Sequence, residues 1–192
     1  MSGPVCLCIG HSRLVNGTRD GGAVACGDAM SEWTFNSILA PLIVSELATL
    51  RIPAIVIDRY EGTGYGSAMR WLASTIRNQG GRIALELHFN DSDDPQSNGH
   101  EWLHWSNSAP SHRLATEISA EMCLQLPAIR RRGVVPIGSA DRGGEFLRLT
   151  PCPAVICEPF FGSNKSDFQQ ATSGQLQIAR AIAHGIASFD EG

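Results

Sequence analysis

A chain of 192 residues, 43% hydrophobic and only 18% charged, is long enough for one sizeable core and leaves little room for a second domain. Its net charge of −4 excludes the basic footprint of a nucleic-acid binder, and the one basic run, Arg130 to Arg132, reads as a solvated turn. No stretch is apolar enough for stable membrane insertion, and the start, MSGPVCLCIGHS, lacks the charged-then-apolar pattern of a leader. The six cysteines form no C-x-x-C pair and mostly lie in or beside apolar runs, so they are expected as free thiols in a chain made in the cytoplasm.

In chain order, Val5 to Ile9 opens as a continuous apolar run, the pattern of a strand buried on both faces. A Gly-rich polar segment, Ser12 to Ser31, leads into a helix striped by Phe35, Leu39, Leu42, Leu47 and Leu50, which Pro41 should kink or break. Ala54 to Ile57 is a second buried strand, followed by a helix carrying Met69, Leu72, Ala73 and Ile76. Ile83 to Leu87 is a third. The alternating HEWLHW, residues 100 to 105, predicts a strand nearer the edge, with His100 and His104 sharing a solvated face. Leu114, Ile118 and Met122 mark a third helix, Ala154 to Cys157 a fourth buried strand, and Ile178, Ile182, Ile186 and Phe189 the last helix, with His184 on its polar side. Buried strands alternating with amphipathic helices argue for an α/β fold, a mainly parallel sheet with helices on both faces.

In such sheets ligands sit outside the carboxyl ends of the strands. Three runs end there in chemistry: Gly10 and His11 follow the first, His88 the third and Glu158 the fourth. Asp58 and Arg59, after the second, are placed on the same rim. Two imidazoles and a carboxylate thus converge, and one more ligand would complete a three-residue zinc site with an open position. Glu32 is the candidate, because its helix begins near the end of the first strand; the competing reading is that Ser31 is an N-cap and Glu32 merely complements the helix dipole. Among weaker candidates, Asn36 is placed one helical turn after Glu32, Asn90 either beside the ligands or substrate or in loop-turn hydrogen bonding, Asn164 at a cap or turn, and Arg142 with Gly143 and Gly144 at the border of a groove.

The segments IGHS (9 to 12), GGAVACGDAMSEWTFN (21 to 36), IVIDR (55 to 59), LHFND (87 to 91), RRGVVPIG (131 to 138) and PAVICEPFFGSN (153 to 164) span nearly the whole chain. In that order they resemble the zinc-dependent N-acetylmuramoyl-L-alanine amidases of the type 3 class, which includes bacterial autolysins and phage endolysins. The resemblance implies a phosphorylase/hydrolase-like fold with a mostly parallel sheet of about six strands. It also implies that His11, Glu32 and His88 hold Zn²⁺ and that Glu158 is the catalytic glutamate. Ser12 and Arg13 stand where the family often has a glycine pair, and Pro159 where a small residue is common.

The function so implied is cleavage of the amide between the lactyl group of N-acetylmuramic acid and L-alanine of the peptidoglycan stem, with zinc-activated water and Glu158 as acid/base. One catalytic domain over 1–192 without a wall-binding module, with a monomer favoured over an oligomer that the sequence does not define, fits an endolysin that reaches the wall through a holin-type pore. The alternatives are a zinc amidohydrolase or carboxypeptidase for small N-acyl amino acids, and a non-catalytic module binding wall fragments.

Overall fold

The computed structural model describes residues 3–15 and 17–192. Met1 and Ser2, part of the segment read for a leader, and Asn16 lie outside them. The elements in order are β1 (Val5–Ile9), β2 (Leu14–Val15), β3 (Thr18–Arg19), α1 (Glu32–Thr49), β4 (Ala54–Ile57), α2 (Tyr65–Asn78), β5 (Ile83–Leu87), β6 (His100–Trp105), α3 (Ala109–Gln125), β7 (Arg131–Ile137), α4 (Gly144–Leu149), β8 (Ala154–Glu158), α5 (Lys165–Ser173) and α6 (Gln175–Glu191). A six-stranded sheet runs β4-β1-β5-β8-β6-β7, and β2 with β3 makes a small antiparallel ribbon. The first four strands are parallel, as their continuous apolar runs predict. β6 reverses against β8 and carries β7 parallel to itself.

The pleat sends alternate residues to opposite faces. On one face Val5, Leu7, Leu85 and Val155 meet Phe35, Leu39, Ile43 and Leu47 of α1, Leu114, Ile118 and Met122 of α3, and Ile178, Ile182 and Ile186 of α6. On the other, Cys6, Cys8, Ala84 and Ile156 meet Met69, Leu72 and Ile76 of α2 and Phe146 and Leu147 of α4. All six cysteines are free thiols, three of them buried. No helix among the described residues is long and apolar enough to cross a membrane.

Four expectations need correction. α1 is not broken at Pro41 but continues through it to Thr49, with the proline on the exposed side of the helix. Arg131 and Arg132 are not a turn; they open the edge strand β7, where exposed Pro136 is tolerated because one side of that strand has no ladder. His100 and His104 are not solvated. β6 has β8 on one side and β7 on the other, and α3 covers the face to which both histidines point, leaving them 0% and 5% exposed. Asp58 and Arg59 leave the rim and border a shallow pocket with Trp71 and Thr75, while Tyr60 turns inward.

Candidate metal centre and its cavity

The site is assembled from the ends of β1, β5 and β8 and the start of α1. After β1, His11 adopts a left-handed backbone (φ 58°), a conformation that costs a non-glycine residue on the order of 1 kcal/mol and aims its ring across the rim. The loop that follows returns to α1 through Glu32 N–H to Ala23 O (2.8 Å) and Trp33 N–H to Gly21 O (3.0 Å). Ser31 does cap the helix, accepting from Thr34 N–H at 3.2 Å, and Glu32 is still turned into the site; the two readings of this turn describe different side chains. Ser12 is buried and accepts the Trp33 indole N–H at 3.1 Å, fixing the loop to the helix.

Glu32 bridges the two histidines: Oε1 lies 2.6 Å from His88 Nδ1 and Oε2 lies 3.2 Å from His11 Nε2. Backbone donors hold the carboxylate from behind, Ala23 N–H on Oε2 at 3.1 Å and Phe89 N–H on Oε1 at 3.3 Å. A glycine is required at position 10, because a Cβ there would collide with the His88 ring. Burial works against the Glu32 charge, yet the hydrogen bonds and charges of His11 and His88 hold its carboxyl well below the usual range. Burial likewise opposes the charged imidazoles, and Glu32 overrides it, raising both. One potential ligand atom from each of His11, Glu32 and His88 falls within 4.8 Å of the others. Two imidazoles and one carboxylate at this spacing fit a divalent metal of the zinc type, with a coordination position left for water or substrate.

Glu158 ends β8 beside this group. Its Oε2 is sealed from solvent and has no hydrogen-bond partner among the described residues. Burial pushes its carboxyl up to about 8; Glu32 and Glu101 push the same way, whereas His88 and Arg142 oppose them. A carboxylate so placed lacks a counter-charge, and a divalent cation at the neighbouring triad is of the right sign to supply it.

The three residues and Glu158 open on a cavity of about 910 Å³. It lies where α2 and the short α4 leave the carboxyl ends of β5 and β8 and the amino end of the reversed β6 uncovered on their side. Glu86, Glu101, Glu145, Tyr60, Tyr65 and Arg142 line it. Arg142 and Gly143 therefore do border the cavity, whereas His100 and His104 face the other side of the sheet. Asn90 donates to Glu101, the register partner of Glu158, while its own backbone bonds Phe160 and Gly162. Asn36 reaches the Glu32 backbone carbonyl at 3.0 Å and not its carboxylate. Asn164 caps α5 and His184 is exposed. Sequence reasoning missed Glu86 and Tyr60. Glu86 carries the same signal as Glu158, a charge inside an apolar run; Tyr60 carries none that separates it from a core aromatic.

A family model described as N-acetylmuramoyl-L-alanine amidase matches residues 5–188. Among solved structures, the chain is similar to the catalytic domain of CwlV, an N-acetylmuramoyl-L-alanine amidase from Bacillus (Paenibacillus) polymyxa var. colistinus, at 22% identity over 98% of both chains (TM-score 0.79). It is similar to the CwlD amidase of Clostridioides difficile, solved in complex with the GerS lipoprotein, at 18% identity over 98% of both chains (TM-score 0.82). The catalytic domain of the CD27L endolysin, which targets Clostridia difficile, gives 23% identity over 96% of this chain and 97% of that one (TM-score 0.79). No curated protein matches it.

Proposed function

Because the chain belongs to the N-acetylmuramoyl-L-alanine amidase family, we propose that it hydrolyses the amide between the lactyl group of N-acetylmuramic acid and L-alanine, holding Zn²⁺ on His11, Glu32 and His88 and using Glu158 as acid/base. The observation that carries this reading is the unpartnered Glu158 Oε2 beside a His₂Glu set. Bound zinc supplies Lewis acidity toward the amide carbonyl and toward water. Glu32, gripped by two backbone N–H groups, keeps the rings of His11 and His88 at fixed separation. The Glu158 carboxylate, which lines the cavity, takes the proton of the attacking water and delivers it to the leaving nitrogen of L-alanine. Leu103 and Ile156 line the same cavity and make part of its wall apolar, so that a pre-oriented base there is less levelled by bulk water.

The cavity volume, about 910 Å³, favours a sugar-linked peptide over a small N-acyl amino acid, which would fill a minor part of it. For the cell we propose a lytic role, with synthesis in the cytoplasm and passage to the wall through a separate pore; the likeness to an endolysin catalytic domain supports it. Digestion of purified peptidoglycan, read by mass spectrometry, tests the chemistry. Intact stem peptides with new L-alanine amino termini and uncut glycan are expected. New reducing ends, or cuts within the stem, reject it. Lysis of cells expressing the chain only when a membrane pore is co-expressed is the outcome expected for the lytic role, and lysis without the pore contradicts it.

A further inference from the structure

The two histidines of the triad present different nitrogens. His11 turns Nε2 to Glu32, and its Nδ1 lies 3.4 Å from Asp20 Oδ2. His88 turns Nδ1 to Glu32, and its Nε2 lies 3.5 Å from Glu86 Oε2. Each ring thus has a second carboxylate on the nitrogen that points away from the shared one. The two supports differ in kind. Asp20 comes from a loop and its side chain is 55% exposed, whereas the Glu86 side chain is 5% exposed. Glu86 stands in the middle of the sheet, with Cys8 of β1 and Ile156 of β8 as register partners, so its backbone is fixed on both sides.

Glu86 and His88 are two residues apart, and the period of the strand sets both toward the cavity side of the sheet. The other Glu86 oxygen is also engaged: Oε1 accepts the Tyr60 hydroxyl at 3.3 Å. Tyr60 is itself buried, and its backbone N–H donates to Ser12 O at 3.1 Å, next to His11 in the chain. A buried carboxylate with both oxygens committed is poorly placed to take a proton from water. It is well placed to hold a ring.

We propose that Glu86, buttressed by Tyr60, is a positioning residue for His88: it accepts the Nε2–H and so commits Nδ1, the nitrogen beside Glu32, to the metal. Carboxylates on the far nitrogen of a ligating histidine fix its tautomer and raise its basicity, and their removal commonly weakens metal binding by about 10–100-fold. The inference rests on the metal reading above. It assigns the buried support the larger share of metal affinity and the exposed Asp20, surrounded by water, the smaller.

The test is zinc affinity measured by competition with a chromophoric chelator, together with long-range proton–nitrogen NMR of the zinc-loaded chain. Glu86→Leu, which keeps bulk and removes the acceptor, is expected to bind zinc about 10–100-fold more weakly. Glu86→Gln, whose amide oxygen still accepts, is expected to recover most of that loss, and Asp20→Asn to lose less than Glu86→Leu. In the native chain the remaining His88 proton is expected on Nε2. A proton on Nδ1 overturns the proposal whether or not Glu86→Leu folds, and so does native affinity in a folded Glu86→Leu. Equal weakening in Glu86→Gln and Glu86→Leu, in step with a fallen melting temperature, means a structural role only and also overturns it. A native chain that takes up no zinc removes the metal reading itself.

Discussion

Beneath α3, the His100 ring accepts the Trp102 indole N–H on Nδ1 at 2.9 Å and faces the Cys123 thiol at 3.7 Å through Nε2; His104 Nδ1 bonds Trp105 O at 2.9 Å. Across the same sheet, on the side that α2 and α4 leave open, one oxygen each of Glu158 and Glu145 is buried without a partner among the described residues, and the Glu32 carboxylate faces two imidazoles. Both regions place polar side chains in otherwise apolar strands. The difference lies in charge: the His100 and His104 rings are bonded within the fold and sealed, and the unmatched atoms of that side, Asn36 Oδ1 and Ser119 Oγ, are neutral, whereas the other side keeps unmatched carboxylate oxygens beside a cavity. Polar interruptions of a strand therefore mark a site only where the opposing layer stops short.

The largest effect expected from breaking this contrast is on the open side. His88→Ala removes one of three ligands, so zinc content by elemental analysis should fall toward zero and peptidoglycan hydrolysis with it. Retained zinc and turnover would place the metal elsewhere. On the sealed side Ile182→Ala, which empties a fully buried position of α6, should cost about 2–5 kcal/mol in a denaturant titration while leaving one zinc per chain.

Smaller, and dependent on pH, is the contribution of His100. Burial, with the Arg131 charge adding to it, lowers its imidazole to about 4 from an ordinary value of 6.5. The unfolded chain then binds the extra proton first as pH falls, so stability is full above 6.5 and declines toward 4. The decline attributable to this ring is on the order of 3 kcal/mol at most, seen as the difference between native and His100→Gln melting curves across that window. Identical pH dependence in the two would contradict it. Smallest of all, His104→Leu loses one hydrogen bond to a backbone carbonyl, about 1 kcal/mol, and should leave zinc content and turnover unchanged.

Much of the architecture was legible because burial on both faces erases alternation. Val5–Ile9, Ala54–Ile57, Ile83–Leu87 and Ala154–Cys157 could be read as central parallel strands, and they are β1, β4, β5 and most of β8. The convergence of His11, His88 and Glu158 was legible for a topological reason, since strand ends of a parallel sheet share one rim, and Glu32 joined them because its helix starts near the end of β1; their roles came from the family resemblance. The direction of β6 and β7 was not, since a polar/apolar pattern is the same read either way. His100 and His104 were misplaced because alternation reports one buried face without saying which residues occupy it; here the histidines, not Leu103, are turned to α3. Arg131 and Arg132 hid the start of β7, because an edge strand tolerates exposed charge that a central one does not. Glu86 interrupts its apolar run with a charge as Glu158 does, but pattern does not say what it faces, and Tyr60 carries no signal that separates it from a core aromatic.

The central claim, that the unmatched carboxylate at the end of β8 performs the chemistry, is tested most directly by Glu158→Gln, with zinc stoichiometry, melting temperature and peptidoglycan turnover measured on one preparation. The change keeps shape and removes the proton-accepting charge. The account expects one zinc per chain, little change in melting temperature and turnover lowered about 10²-fold or more. Turnover near the native rate would make Glu158 a structural carboxylate, and loss of zinc together with activity would make it a ligand; either result contradicts the account.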